Sequence, residues 1–234
     1  MLSDAMLEYA VQARGITVKK ADRERPFPVK DVSLAVRLGE AVGIVGENGS
    51  GKTTLLLAIL GIITPHKGAV EILGHSCRSL AAKAAVGFAP DFLPAAPHWT
   101  ARTFLHLQAR LAGLSNKTAA HTCEESLEQF GLRAISRRPI SGYSRGEQRR
   151  VALASALIAN PQVIILDEPS ASLDPDIKPV FWKRLEEARG KGASILLTSH
   201  DLREVEAVCD RSLRMAAGSI LGEEEQGIDG GKIR

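Results

Sequence analysis

At 234 residues the chain is long enough for a sizeable core, most simply one domain with a subdomain. Its 30 Lys plus Arg against 27 Asp plus Glu give a net charge of +3, too slight an excess for the concentrated basic face that nucleic acid requires, so no nucleic-acid partner is expected. Cys77, Cys123 and Cys209 lie far apart with no C-x-x-C spacing, which argues against a disulfide framework or a metal site and fits a reducing cytoplasm.

Taken in order, Met1 to Gly15 carries Asp4 and Glu8 and lacks a basic region ahead of an apolar run, so no signal peptide is expected. Gly15-Ile16-Thr17-Val18 and Val32-Ser33-Leu34-Ala35-Val36 alternate as half-buried strands do, with the charged Lys20 to Arg25 as an exposed turn between them. Ala41-Val42-Gly43-Ile44-Val45 reads as a buried strand and Leu55 to Leu60 as a helix. Between them stands Gly46-Glu47-Asn48-Gly49-Ser50-Gly51-Lys52-Thr53-Thr54, which matches the phosphate-binding pattern G-x-x-x-x-G-K-[ST] in the strand-loop-helix context it needs. Glycines at 46, 49 and 51 let backbone N–H groups turn inward, and the helix start aims a positive dipole end at phosphate. Lys52 is then placed to reach the outer phosphates and the Thr53 hydroxyl to hold Mg²⁺. The longest apolar run, Leu55 to Ile63, is about half of a membrane span, so work at a membrane would need spans from another chain.

Ala69 to Gly74 reads as a further alternating strand, Val86 to Ala89 as a short strand ended by Pro90, and Asp91 to Pro97 as a proline-studded linker. From Thr100 the pattern turns helical. Thr100 is expected to cap Ala101 to Leu114, and Ala120, Cys123, Leu127 and Phe130 recur at helical spacing. Trp99, Phe104 and Phe130 are read as core packing. Ser141 to Arg150 opens a helix Glu147 to Ala159 that Asn160-Pro161 stops. Val163 to Leu166 is a continuous apolar run suited to a buried parallel strand, and it delivers Asp167 and Glu168 to a carboxyl edge, where open α/β sheets bind ligands. Asp174-Pro175 is expected to start a helix running to Arg189, Ser194 to Thr198 to form one more buried strand delivering His200, and the Glu- and Gly-rich tail from Gly222 to be flexible. The chain is therefore α/β.

Each later motif alone is weak, since two carboxylates after a strand are often solvated and a lone histidine is more often packed or exposed. Their order is specific. The phosphate loop, Ser144-Arg145-Gly146-Glu147-Gln148-Arg149-Arg150 opening a helix, Ile164-Ile165-Leu166-Asp167-Glu168-Pro169, Ser172-Leu173-Asp174 and Thr198-Ser199-His200-Asp201 together resemble the nucleotide-binding subunit of the ATP-binding cassette family, over roughly Gly15 to Gly222. The resemblance implies a P-loop NTPase (RecA-like) core with an antiparallel β-subdomain over 1–90 and 156–222, an inserted helical subdomain over 91–155 and a tail over 223–234.

It also implies that Gly46 to Thr54 bind the phosphates of ATP, that Thr53 and Asp167 organise Mg²⁺, that Glu168 is the catalytic base for water, and that His200 contacts the γ-phosphate. Ser144 and the Gly146 amide would close over ATP held by a second copy or a paralogous cassette, in a dimer sandwiching two nucleotides, while Asp174 lies in the loop through which the sites sense each other. Three departures stand out. Asp91 replaces the glutamine that touches Mg²⁺ and relays to the membrane partner, and is expected to sense the metal still. Tyr143 and Arg145 replace the signature's common leucine and first glycine, with Arg145 either pairing with phosphate or facing solvent. No aromatic is evident to stack adenine, the region holding Ala21 and, nearby, Phe27. The implied function is an exporter-like ATPase subunit, cytoplasmic and peripheral on the inner membrane face through separate permease subunits. The alternatives are a soluble cassette ATPase acting on ribosomes, DNA or metal-cluster assembly, and a small-molecule kinase, which leaves Ser144 to Arg150 and His200 unexplained.

Overall fold

The computed structural model describes residues 7–19, 28–93, 95–96 and 98–225; Ala21 and Phe27 lie outside them, as does the whole of the turn read at Lys20 to Arg25. In chain order the elements are β1 (Tyr9–Val18), β2 (Val29–Arg37), β3 (Ala41–Val45), α1 (Lys52–Ile59), β4 (Lys67–Ile72), β5 (His75–Ser76), α2 (Leu80–Ala85), β6 (Val86–Ala89), α3 (Ala101–Leu111), α4 (Asn116–Gln129), α5 (Arg145–Leu157), β7 (Val163–Asp167), α6 (Ile177–Gly190), β8 (Ser194–Ser199), α7 (Leu202–Val208), β9 (Arg211–Ala216) and β10 (Ser219–Glu225). They gather into two compact units, one from the chain up to residue 83 and from 194 onward, the other from 84 to 193.

The first unit holds two sheets. One runs β2-β1-β4-β5 and is antiparallel throughout. In β2 the alternation seen in sequence is borne out, with Val32, Leu34 and Val36 buried and Asp31 and Ser33 exposed. The other runs β10-β9-β3-β8, with β3 parallel to both its neighbours and β10 antiparallel to β9. Strands β3 and β8 are buried on both faces, as a covered parallel sheet requires. Leu55, Leu56 and Ile59 of α1 are fully buried, and α1 lies against β1.

In the second unit β6 and β7 pair in parallel, Val86 opposite Val163 and Ala89 opposite Leu166. Helix α5 packs on β6, β7, α3 and α6, and α3 packs on α4. Phe104 and Phe130 are buried, and Trp99, half-buried, sets its ring 6.1 Å from that of Phe104. Thr100 caps α3 by accepting from the Thr103 N–H at 3.1 Å.

Several boundaries differ from expectation, each for a local reason. Helix α3 stops at Leu111, with Ala112, Gly113 and Leu114 closing its last turn through backbone bonds. In α4 Cys123, Leu127 and Phe130 are buried as expected, but Ala119, four residues before Cys123, is the buried first-turn member and Ala120 is exposed. Helix α5 starts at Arg145, two residues early, because Ser144 and Glu147 form a capping box. Asp174 does not cap α6; its carboxylate accepts the Asp176 N–H at 2.9 Å in a turn that delays the helix to Ile177. Residues 222–225, read as the start of a flexible tail, belong to β10 and pair with β9.

Candidate functional site

In the first unit the loop after β3 crosses the carboxyl ends of parallel strands. It is fixed from both sides: the Gly46 N–H donates to Ser199 O at 3.3 Å, and Ser50 O accepts the Gly218 N–H at 2.9 Å. Two glycines are obligatory. A Cβ at Gly46 would stand 2.2 Å from Met215 O, and Gly51, at φ 109, would place one 2.2 Å from Pro28 O. Gly51 is also the cap of α1, leaving the first-turn amides uncapped by any side chain. Lys52 is buried, its ammonium donating to Gly46 O at 2.5 Å and Glu47 O at 3.2 Å. The Ser50 hydroxyl is buried beside Gly46 with no hydrogen-bond partner. Such orphaned polarity is costly, and an anion in the loop would relieve it. Thr53 is exposed in the first turn of α1.

The same unit carries a cavity of about 840 Å³, of ordinary ligand-site size. Its lining includes Gly46 to Ser50, Lys30, His200 and Arg214. His200 is exposed just past β8. Ser199 beside it donates its hydroxyl to Glu204 Oε2 and accepts the Asp201 N–H, both at 3.0 Å, and Asp201 caps α7 by accepting the Arg203 N–H at 3.0 Å.

In the second unit β6 and β7, being parallel, bring Pro90-Asp91 and Asp167-Glu168 to one edge. Asp167 is 1% exposed, and Glu168 adopts φ 50, the left-handed region that side-chain-bearing residues rarely occupy. At the start of α5, Ser144 Oγ accepts the Glu147 N–H at 3.2 Å and Glu147 Oε2 accepts the Ser144 N–H at 2.7 Å. Tyr143 is buried, its hydroxyl donating to Ile135 O at 2.6 Å, and burial pushes its pKa up. A Cβ at Gly146 would lie 3.1 Å from Ser172 O, so the first turn of α5 rests on the turn after Glu168. Asp174 is exposed.

Comparison with known proteins decides what this assembly is. The family described as ABC transporter matches residues 29–171. The chain belongs to the ABC transporter family. This cassette is 36% identical over 197 residues to the Nod factor export ATP-binding protein I of Bradyrhizobium diazoefficiens, covering 83% of the chain and 64% of that relative. The protein of the same name from Rhizobium sp. (strain N33) is 32% identical over 220 residues, 93% of this chain and 71% of that one. Thus the cassette spans about two-thirds of the length of these relatives. Among solved structures, the ATP binding subunit of an ABC transporter superposes with a TM-score of 0.84 at 26% identity, covering 92% of this chain and 90% of its own. A dimeric ATP-binding cassette bound to ADP and Pi in a post-hydrolysis state gives 0.84 at 25% identity, covering 93% and 100%. The α/β P-loop NTPase fold is therefore that of ABC cassettes.

Two features of the cassette escaped the sequence reading. The Ser144-x-x-Glu147 capping box carried a visible signal, the S-x-x-E pattern ahead of a helix. Arg149 carried none, because a charged residue in a helix is ordinarily solvated, yet it is 3% exposed. Arg145, left between phosphate and solvent by the sequence, stands 3.8 Å from Asp91 Oδ2.

Proposed function

We propose that the chain binds and hydrolyses ATP and thereby powers an ABC transporter whose membrane-spanning subunits are separate chains. The observation that carries this reading is the phosphate loop itself, with its orphaned Ser50 hydroxyl, uncapped α1 amides and buried Lys52 beside a ligand-sized cavity. Lys52 exchanges the carbonyls of Gly46 and Glu47 for the β- and γ-phosphates, while the amides of residues 47–54 cradle them. Thr53 and Asp167 are hard oxygen donors that suit Mg²⁺. Held by Thr53 and Asp167, the ion would supply positive charge to offset that of the phosphates. Glu168 accepts the proton of the attacking water, and His200 donates a hydrogen bond to the γ-phosphate. Ser144 and the Gly146 amide complete the site of a second copy, so that ATP closes a dimer and hydrolysis reopens it.

No described helix is long and apolar enough to cross a membrane, in keeping with spans supplied by a permease. The relatives' printed role, export of Nod factor, makes outward transport the proposed direction, with the chain held at the cytoplasmic face by its permease. Glu168→Gln tests the assignment. It is expected to slow ATP turnover at least 100-fold and to accumulate an ATP-bound dimer on size-exclusion chromatography; a monomer with unchanged turnover refutes the roles given to Glu168 and Ser144.

A further inference from the structure

Arg145 and Arg149 sit four residues apart on one face of α5; Arg149 reaches the segments that leave both β6 and β7, and Arg145 the one that leaves β6. Arg149 donates Nη1 to Pro90 O at 2.5 Å and Nε to Pro169 O at 3.1 Å, and Nη2 to the carbonyls of Asp167 and Glu168. Three donor nitrogens of one guanidinium thus hold four carbonyls on two separate segments. Burying a cation is costly unless it is fully hydrogen-bonded, and charge-assisted bonds are stronger than neutral ones. A lysine presents its three donors from a single point and cannot span the same fork. The carbonyl that Nη2 holds on Glu168 also accepts the Ala171 N–H at 3.1 Å. Glu168 persists in its left-handed conformation only because its surroundings over-determine it, and Arg149 grips the carbonyls on either side of that residue's φ and ψ. One helical turn earlier, the Arg145 guanidinium faces the Asp91 carboxylate.

We propose that α5 works as a rigid lever with two arginine grips. Arg149 is a positioning residue that fixes the backbone of Pro90 and of the Asp167 to Pro169 turn, and Arg145 ties the Asp91 side chain to the same helix. Any displacement of the Ser144 loop then moves Glu168 and Asp91 with it, and Asp91 acts through Arg145 rather than as a metal ligand. The kinetic consequence rests on the ATPase reading above, because Glu168 must activate water for its placement to matter. The mechanical consequence does not.

The test uses the full chain with Arg149→Lys, Arg149→Gln, the single variants Asp91→Arg and Arg145→Asp, and their double charge swap. Arg149→Lys is expected to lower kcat at least tenfold with KM for ATP changed less than twofold, since none of the phosphate-loop bonds is touched. The Ala171 amide is expected to exchange with solvent at least tenfold faster. Retention of more than half of kcat by Arg149→Lys, or parallel changes in kcat, KM and melting temperature, overturns the positioning role. For the outer grip, each single charge reversal is expected to lower kcat about threefold and the swap to restore it to within twofold, with the Mg²⁺ midpoint unmoved. A shifted Mg²⁺ midpoint in Asp91→Arg that the swap fails to repair overturns the Asp91 assignment and makes it a metal ligand. Should the wild type hydrolyse no ATP, the functional reading fails while the exchange arm still decides the lever, unchanged Ala171 exchange in Arg149→Lys refuting it. Should Arg149 variants not fold, the Asp91 and Arg145 variants, both at exposed side chains, decide it through exchange of the same amide, no acceleration in either refuting it.

Discussion

Glu168 joins a demanding backbone conformation to the chemistry proposed for it. At φ 50 a side-chain-bearing residue costs on the order of 1 kcal/mol or more, and that cost is separable from the carboxylate. Glu168→Gly is therefore expected to melt above Glu168→Gln while both lose hydrolysis, because glycine relieves the strain and glutamine keeps it; equal melting temperatures would show that the turn is not strained. A second residue-scale prediction concerns pH. Glu40 accepts from Arg211 Nε at 2.6 Å and from the Arg37 N–H at 2.6 Å, and Arg211 also reaches Glu223 at 2.7 Å. Burial pushes the Glu40 carboxyl up, but the bonds from Arg211 and Arg37 outweigh it and leave the pKa below its ordinary 4.5. Because the folded value is the lower one, the stability from Glu40 is fully present above pH 4.5 and is lost as pH falls through the depressed folded value. Glu40→Gln should cost about 1–3 kcal/mol at pH 7 in urea unfolding. Its deficit relative to wild type should shrink progressively below pH 4.5; a deficit constant down to pH 3 would assign the loss to packing alone.

At the scale of elements, α5 carries the most consequences for its length. Its cap fixes where the helix begins, and the same Ser144 is proposed to face the nucleotide of a second copy. The two duties separate by substitution. Ser144→Ala is expected to lose about 1 kcal/mol with the cap, whereas Ser144→Asp, an equally good cap, should melt within about 2 °C of wild type. Both should fail to form the ATP-dependent dimer in a Glu168→Gln background; a normal dimer with Ser144→Asp would confine Ser144 to capping. The strands β3, β7 and β8 were legible because covered parallel strands read as continuous apolar runs, and the phosphate loop because its glycines are dictated by the approach of Met215 O and Pro28 O. The start of α6 was not, because Asp174 can cap a helix or make a turn and only the observed bond to the Asp176 N–H chooses. Arg149 was hidden for a different reason: what makes it distinctive is four backbone carbonyls, and backbone atoms leave no trace in a side-chain pattern.

On the scale of the whole molecule, the chain builds its first unit from two stretches separated by the second, so β3 finds its parallel partners β8 and β9 only after some 150 intervening residues. What the molecule joins outside itself is a matter of surface. Phe92, directly after Asp91, is 75% exposed, an unusual position for a large aromatic. Under the transporter reading, the segment that relays to the permease contains it, and burying a phenylalanine against a partner contributes on the order of 1.5–3 kcal/mol. Phe92→Ser is accordingly expected to lower recovery of the chain with a polytopic membrane protein from detergent extracts by at least tenfold, while the melting temperature of the isolated chain stays within about 2 °C, since an exposed side chain contributes little to folding. If the wild-type chain is instead recovered with ribosomes or nucleic acid and with no polytopic protein, the transporter reading gives way to the soluble cassette ATPase. If the permease is recovered equally by Phe92→Ser, the contact does not depend on Phe92, and the exposed Leu111 of the same unit, at 69%, is the next side chain to replace.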